Sequence, residues 1–203
     1  MRRVVVLALL ALAVALPTAA WADGIVLTNQ YGSVTATAAG IISRNSQLTS
    51  FNGITAPPGH SLGSVNFGTG ALLTGSLAAG GTFSATGSYF TVVGKGNYGE
   101  PKGTIFSGVF VGPITLTLTS PAGQKNLTYS LTGTITGTLY DGRSVTGTTT
   151  QNLYTVAGQW SQGVGHIRAG TTNLPVPEPG TLGLLGTGLV GIAGMFRRKL
   201  MAR

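Results

Sequence analysis

The feature that most constrains the fold is a strict alternation of apolar and hydroxyl-bearing residues. In residues 131–140, every odd position holds leucine, isoleucine or glycine, and every even position holds threonine or tyrosine. Residues 114–119 alternate in the same way. Successive side chains of a β-strand point to opposite faces, so a period of two predicts strands with one apolar and one polar face.

The rest of the chain between residues 23 and 174 favours the same structure. Further strands are predicted at residues 25–29, 33–38, 41–43, 48–51, 64–67, 71–77, 82–85, 89–93, 104–111, 143–154 and 165–171. Turn signals separate them, among them Tyr31-Gly32 and Pro57-Pro58-Gly59. Short strands joined by glycine-rich turns predict an all-β domain over residues 23–174, built as an antiparallel sandwich or a barrel.

One hairpin can be predicted with its register. Asp141-Gly142 is a favoured pair for a two-residue type I′ turn between strands. Such a turn places Tyr140 opposite Arg143, and Thr138 opposite Val145. Gly142 is expected to adopt a positive φ, which glycine accepts without steric cost.

The N-terminal segment is typical of a secretory signal peptide. Arg2 and Arg3 precede an apolar run over residues 4–16, and Ala20 and Ala22 supply the small residues of a cleavage site. The sequence therefore predicts a signal helix within residues 1–22 that passes through the secretion machinery, with the exported chain beginning at Asp23.

The C-terminal segment, residues 175–203, has three parts. Its first part is a proline-rich box formed by Val176, Pro177, Glu178, Pro179 and Gly180. Residues 181–196 carry no charge, and as a helix they would rise about 24 Å, just short of the roughly 30 Å hydrocarbon core. The basic cluster that follows stops transfer and is expected to stay cytoplasmic; it consists of Arg197, Arg198 and Lys199. These parts predict a single transmembrane helix at residues 181–196.

This three-part tail resembles the PEP-CTERM sorting signal of exported bacterial proteins. The resemblance implies transient tethering in the membrane and processing near the box by an exosortase. It further implies a cell-surface or biofilm-matrix role, since such tails are associated with bacteria that make exopolysaccharide. An ordinary tail anchor with a proline-rich linker is the alternative interpretation.

Composition excludes several classes of partner and chemistry. The formal charge is +8, but six of the twelve basic residues lie in the two terminal segments, which leaves the exported part near +2. Its basic residues are widely spaced, whereas a groove that follows phosphates needs them clustered, so we expect no nucleic acid partner. The chain has no cysteine, which excludes thiolate catalysis and cysteine-bound metals.

A serine hydrolase is one alternative function. Gly59-His60-Ser61-Leu62-Gly63 matches the nucleophile elbow, and Asp141 and His166 follow in the hydrolase order. An elbow needs a strand before it and a helix after it, whereas two prolines precede Ser61 and a strand-like segment follows. The expectation is a protein without catalytic residues.

The remaining alternatives involve a ligand. A metal site could draw on the two histidines and on nearby acids, although no spacing suggests one: His60, His166, Asp23, Glu100 and Asp141. We therefore predict neither a metal nor a cofactor. A carbohydrate-binding module could use aromatic side chains as a stacking platform: Tyr89, Tyr98, Tyr129, Tyr140, Tyr154 and Trp160. The favoured expectation is an exported, non-enzymatic surface or matrix protein, with exopolysaccharide among its candidate partners.

Overall fold

A computed structural model describes residues 24–121, 124–156, 159–160 and 165–176. The predicted signal helix and the predicted transmembrane helix lie outside these residues. The strands are β1 Ile25–Thr37, β2 Gly40–Phe51, β3 Ile54–Thr55, β4 Gly63–Gly68, β5 Leu72–Ser76, β6 Gly80–Phe83, β7 Tyr89–Gly94, β8 Gly103–Leu118, β9 Asn126–Leu139, β10 Ser144–Val156 and β11 Gly165–Leu174. Among the described residues, no helix is long and apolar enough to cross a membrane.

Eight of the strands close into an antiparallel barrel. Each of β1, β2, β4, β7, β8, β9, β10 and β11 pairs with the next, and β11 returns to pair with β1. Closure joins Ile25 to Leu174, so residues from the two ends of the domain are neighbours. The prediction of an all-β antiparallel fold is confirmed, and the choice between sandwich and barrel is settled in favour of the barrel.

The other three strands are additions to this barrel. β3 pairs with the end of β2, while the β5–β6 hairpin pairs with the second half of β8. We call the end where β1 begins and β11 ends the lower end, and the opposite end the upper end. The hairpin therefore lies at the upper end, and β3 at the lower end.

The alternation of the sequence separates the inside of the barrel from the outside. On β9, Leu131, Ile135 and Leu139 are buried, and Thr132 and Thr138 between them are exposed. Strands β4, β7 and β8 contribute a cluster of phenylalanines, in which the Phe90 ring lies 5.9 Å from Phe67 and 5.9 Å from Phe110. Burying these large apolar rings stabilises the core.

A cluster of buried polar side chains links β1, β2 and β10 near the strands where the barrel closes. Asn29 donates from Nδ2 to Oε1 of Gln151 (2.9 Å) and to Oγ of Ser46 (2.8 Å). Gln151 donates in turn to Oδ1 of Asn29 and to Oγ1 of Thr149, at 3.3 and 2.9 Å. Since buried amides are costly when unpaired, these bonds favour one register of β1, β2 and β10 over a shifted one.

The predicted turn at Tyr31-Gly32 is wrong, because both residues lie inside β1. Tyr31 (φ 63°) and Gly32 (φ 78°) form a bulge that bends the strand without ending it. A Cβ on Gly32 would lie 2.5 Å from the Ser46 amide nitrogen, so the neighbouring strand leaves room only for glycine. Two predicted strands therefore belong to one long strand.

The predicted register of the β9–β10 hairpin is also wrong, by one residue. Thr138 pairs with Ser144, and Val145 pairs with Gly137. The Gly142 amide donates to the Leu139 carbonyl (2.9 Å), which closes a three-residue loop in which Gly142 has φ 84°. In the predicted register, the side chain of Val145 would have pointed outward. The observed loop has three residues instead of two because the burial of Val145 contributes more than the local preference for a two-residue turn.

Candidate functional site

The chain enters and leaves the barrel at the lower end. Residues 24–176 form one compact unit, in which β1 begins at Ile25 and β11 ends at Leu174. Val176, the first residue of the predicted box, is only 6 % exposed. The box therefore begins on the barrel itself, without a spacer. Its other residues, Pro177, Glu178, Pro179 and Gly180, lie outside the described residues, as do Arg197, Arg198, Lys199, Ala20 and Ala22.

A buried carboxylate organises the lower-end loop between β7 and β8. Oε1 of Glu100 accepts a hydrogen bond from the Asn97 amide (3.0 Å), and Oε2 accepts one from the Tyr98 amide (2.9 Å). Burial tends to raise the pKa of Glu100, but the backbone donors outweigh it and hold that pKa below its usual value. The charged carboxylate of Glu100 therefore stabilises the loop by accepting these backbone hydrogen bonds, and its role is structural.

The predicted hydrolase residues are not brought together. Ser61 lies at the lower end, where it accepts a hydrogen bond from Nζ of Lys95 (2.7 Å). Asp141 lies at the same end in the β9–β10 loop. His166 lies near the upper end, where it pairs with Tyr154. His166 lies beside Tyr154, and β10 is roughly 30 Å long from Ser144 to Tyr154 at about 3.3 Å per residue, so His166 is that far from Asp141. Asp141 cannot orient His166 across that distance.

Asp141 has a nearer partner. Its Oδ2 lies 2.6 Å from Nη2 of Arg143, and Nε of Arg143 donates to the same oxygen at 2.7 Å. This side-chain hydrogen bond lowers the pKa of Asp141 and raises that of Arg143. The pair fixes the hairpin loop on the surface, which accounts for the aspartate without catalysis.

The candidate metal ligands are also dispersed. Within the described ranges, no three histidine or acidic side chains lie close enough together to hold a metal ion. His60 contacts Tyr98 at the lower end, with ring centroids 6.2 Å apart, and His166 contacts Tyr154 near the upper end at 4.8 Å. Asp23 lies outside the described residues.

The six aromatic residues of the predicted sugar platform do not share a surface. Tyr129 is fully buried, packs 4.9 Å from Trp160 and donates from its hydroxyl to the Ala78 carbonyl. Both rings therefore belong to the core. Tyr98 and Tyr140 are exposed at the lower end, while Tyr89 and Tyr154 lie on different parts of the barrel wall.

A second group of residues lies on the outer wall across β2, β1, β11 and β10, and the sequence did not indicate that these residues lie together. We call it the outer-wall patch; it comprises Tyr31, Arg44, Tyr154, His166 and Arg168. Arg44 directly precedes Asn45, which has a positive φ (56°) in β2, and Arg168 follows Ile167, the partner of Tyr31. Both arginines and Tyr31 are exposed.

Comparison with known protein families identifies the tail. Residues 175–199 match the PEP-CTERM protein-sorting motif. No significant match was found among curated proteins or among solved structures. The match begins where the barrel ends, and it includes the box, the uncharged segment and the basic cluster. The chain thus consists of an antiparallel β-barrel followed by a PEP-CTERM sorting tail. Such a tail implies an exported protein that is anchored transiently in the membrane and processed by an exosortase.

Proposed function

We propose that the protein is a non-enzymatic component of the cell surface or of the extracellular biofilm matrix, delivered there by its tail. The observation that carries the proposal is the sorting motif at residues 175–199, which begins at the last residues of a self-contained barrel. Trimming within the box would remove the apolar segment and leave every strand in place.

The character of the barrel supports a structural role. Its eight strands each pair on both sides, and exposed threonines line the outer faces of β9 and β10. The hydroxyl groups of these threonines keep the wall soluble with few charges. The separation of Ser61 and Asp141 from His166 removes the sequence-based argument for hydrolysis.

The proposal can be tested by changing the box without changing the apolar segment. In Glu178→Gln/Pro179→Ala, the segment keeps its length and its basic flank, so membrane insertion should be intact. Removal of the tail should stop, since a carboxylate held between two prolines is a rigid, low-entropy feature for an enzyme to recognise. The protein should then accumulate in the membrane fraction at the mass of the unprocessed tail.

The matched control is Asp141→Asn/Pro121→Ala, which makes the same two chemical changes in surface loops of the barrel. It should be trimmed and released like the parent, in a host that carries the processing enzyme. If the box variant is also trimmed and released, the sorting proposal fails and residues 181–196 are an ordinary anchor.

A further inference from the structure

The bulge in β1 turns an aromatic ring outward. Tyr31 pairs with Ile167, and residues directly opposite each other on antiparallel strands normally share a face. Ile167 is fully buried, yet Tyr31 is 56 % exposed. The left-handed conformation of Tyr31 (φ 63°), uncommon for an aromatic residue, produces this reversal. The strand thus presents to solvent a ring that a regular ladder would have buried.

Charged and polar groups surround this ring. Arg44 lies on β2 and Arg168 on β11, the two strands that flank β1, so one exposed arginine lies on each side of the strand that carries Tyr31. Gln30 and Gln47 are directly opposite each other on β1 and β2. The rings of Tyr154 and His166, which contact each other at an angle of 38°, extend the patch toward β10. Four adjacent strands span roughly 14 Å, at about 4.8 Å between neighbours.

Among the described residues, no carboxylate lies beside the positive charge of the outer-wall patch. In the part of the chain that the structure describes, the carboxylates are Glu100 and Asp141. Both lie in lower-end loops, where Glu100 accepts backbone hydrogen bonds and Asp141 pairs with Arg143. Arg44 and Arg168 are therefore exposed on a wall whose described residues include no acidic side chain.

We propose that the outer-wall patch binds an acidic polysaccharide whose sugars carry carboxylates. Guanidinium groups bind carboxylates with paired, charge-assisted hydrogen bonds. The exposed ring of Tyr31 offers a flat apolar face for the C–H face of a sugar ring, and the amides of Gln30 and Gln47 can bond to its hydroxyl groups. A lipid headgroup such as that of phosphatidylglycerol fits less well, because it has no sugar ring that could lie against the ring of Tyr31.

This inference deepens the proposed function by giving the exported barrel a ligand class. The test uses the purified full-length chain in a non-ionic detergent, with polygalacturonate as the probe and dextran as the neutral comparison. It does not require the tail to be processed, so a failure to bind and a failure of sorting are separate results. Polygalacturonate should bind and dextran should not.

Two variants locate the binding. Arg44→Gln/Arg168→Gln should weaken binding of polygalacturonate about tenfold or more, since two charge-assisted contacts are lost. Tyr31→Asn removes the ring but keeps a residue that accepts a positive φ, and it should weaken binding while unfolding like the parent. The control is Lys102→Gln/Lys125→Gln, which removes the same charge elsewhere and should leave the affinity within about twofold of the parent, as expected for screened distant charges.

Three outcomes would overturn the proposal. The first is equal loss of affinity in the two double variants, which would indicate binding through net charge alone. The second is dextran binding as tightly as polygalacturonate. The third is displacement of polygalacturonate by mixed micelles containing phosphatidylglycerol, but not by the same micelles without it, which would assign the patch to an anionic lipid.

Discussion

The barrel and the tail of this protein depend on residues that are differently spaced in the sequence. The sorting tail depends on adjacent residues: the box occupies residues 176–180, and the family motif ends at residue 199. The barrel depends on distant ones, since Ile25 pairs with Leu174, and Asn29 with Gln151. Because the two regions depend on different sets of residues, the stability of the barrel and the delivery of the protein should be separable. Substitutions in the barrel should change the free energy of unfolding, whereas substitutions at residues 177–180 of the box, which come after the buried Val176, should change only processing.

The largest effect on the barrel is expected at Phe90. Its ring is fully buried and contacts Phe67, Phe106 and Phe110, with centroids 5.9 to 6.2 Å away. Phe90→Ala removes these contacts and leaves a cavity, so the free energy of unfolding should fall by about 3–5 kcal/mol. Denaturant unfolding followed by tryptophan fluorescence measures the loss.

The control for this substitution is its neighbour. Tyr89→Ala removes a ring of similar size from the outer wall, where Tyr89 is 37 % exposed. It should cost much less than Phe90→Ala. Equal losses in the two variants would show that the phenylalanine cluster is not the centre of the core.

An intermediate effect is expected at Gly142. Its φ is 84°, and no atom lies within 4 Å of the position that a Cβ would occupy, so the cost of a side chain there comes from the backbone alone. Gly142→Val should lower the free energy of unfolding by about 1–3 kcal/mol, because β-branched residues are strained at positive φ. Gly142→Asn, which tolerates this conformation, should cost less. A valine variant with the midpoint of the parent would contradict the three-residue loop.

The smallest effect is expected from the pH dependence of Glu100. Its pKa is lowered in the folded protein, so the unfolded chain binds the proton more readily. The stabilisation is therefore fully present above the usual glutamate pKa of about 4.3 and is lost as the pH falls through the folded pKa. Urea midpoints between pH 3 and pH 7 should fall less steeply with acid in Glu100→Gln than in the parent. If the urea midpoints of the two proteins fell equally with pH, the charge of Glu100 would not stabilise the loop.

The sequence predicted the parts of the barrel in which local pattern decides the structure. Leu131, Ile135 and Leu139 define the inner face of β9 directly, because their period is that of a strand. Closure into a barrel could not be predicted, since periodicity does not record that Ile25 pairs with Leu174. The hairpin register was missed for a related reason, since the turn preference of Asp141-Gly142 is local and the burial of Val145 depends on the whole barrel.

The candidate sites show the same limit. The box was recognised because its residues are adjacent. The outer-wall patch was missed because Tyr31, Arg44 and Arg168 come from three strands and meet only through bulges and the closing pair of strands. The available signal was that Tyr31-Gly32 and Arg44-Asn45 each interrupt the alternation of their strand. The interruption at Tyr31-Gly32 predicts a turn, because a bulge has the same local sequence preferences as a turn.

The central claim is that the barrel is delivered and that the tail is a removable signal. It is tested by measuring the intact mass of the protein recovered from outside the cell. If the claim holds, the measured mass should correspond to a chain that lacks residues 1–22 and the apolar and basic segments 181–203, yet retains all strands through Leu174. A recovered mass that includes residues 181–203 would contradict this division of the chain.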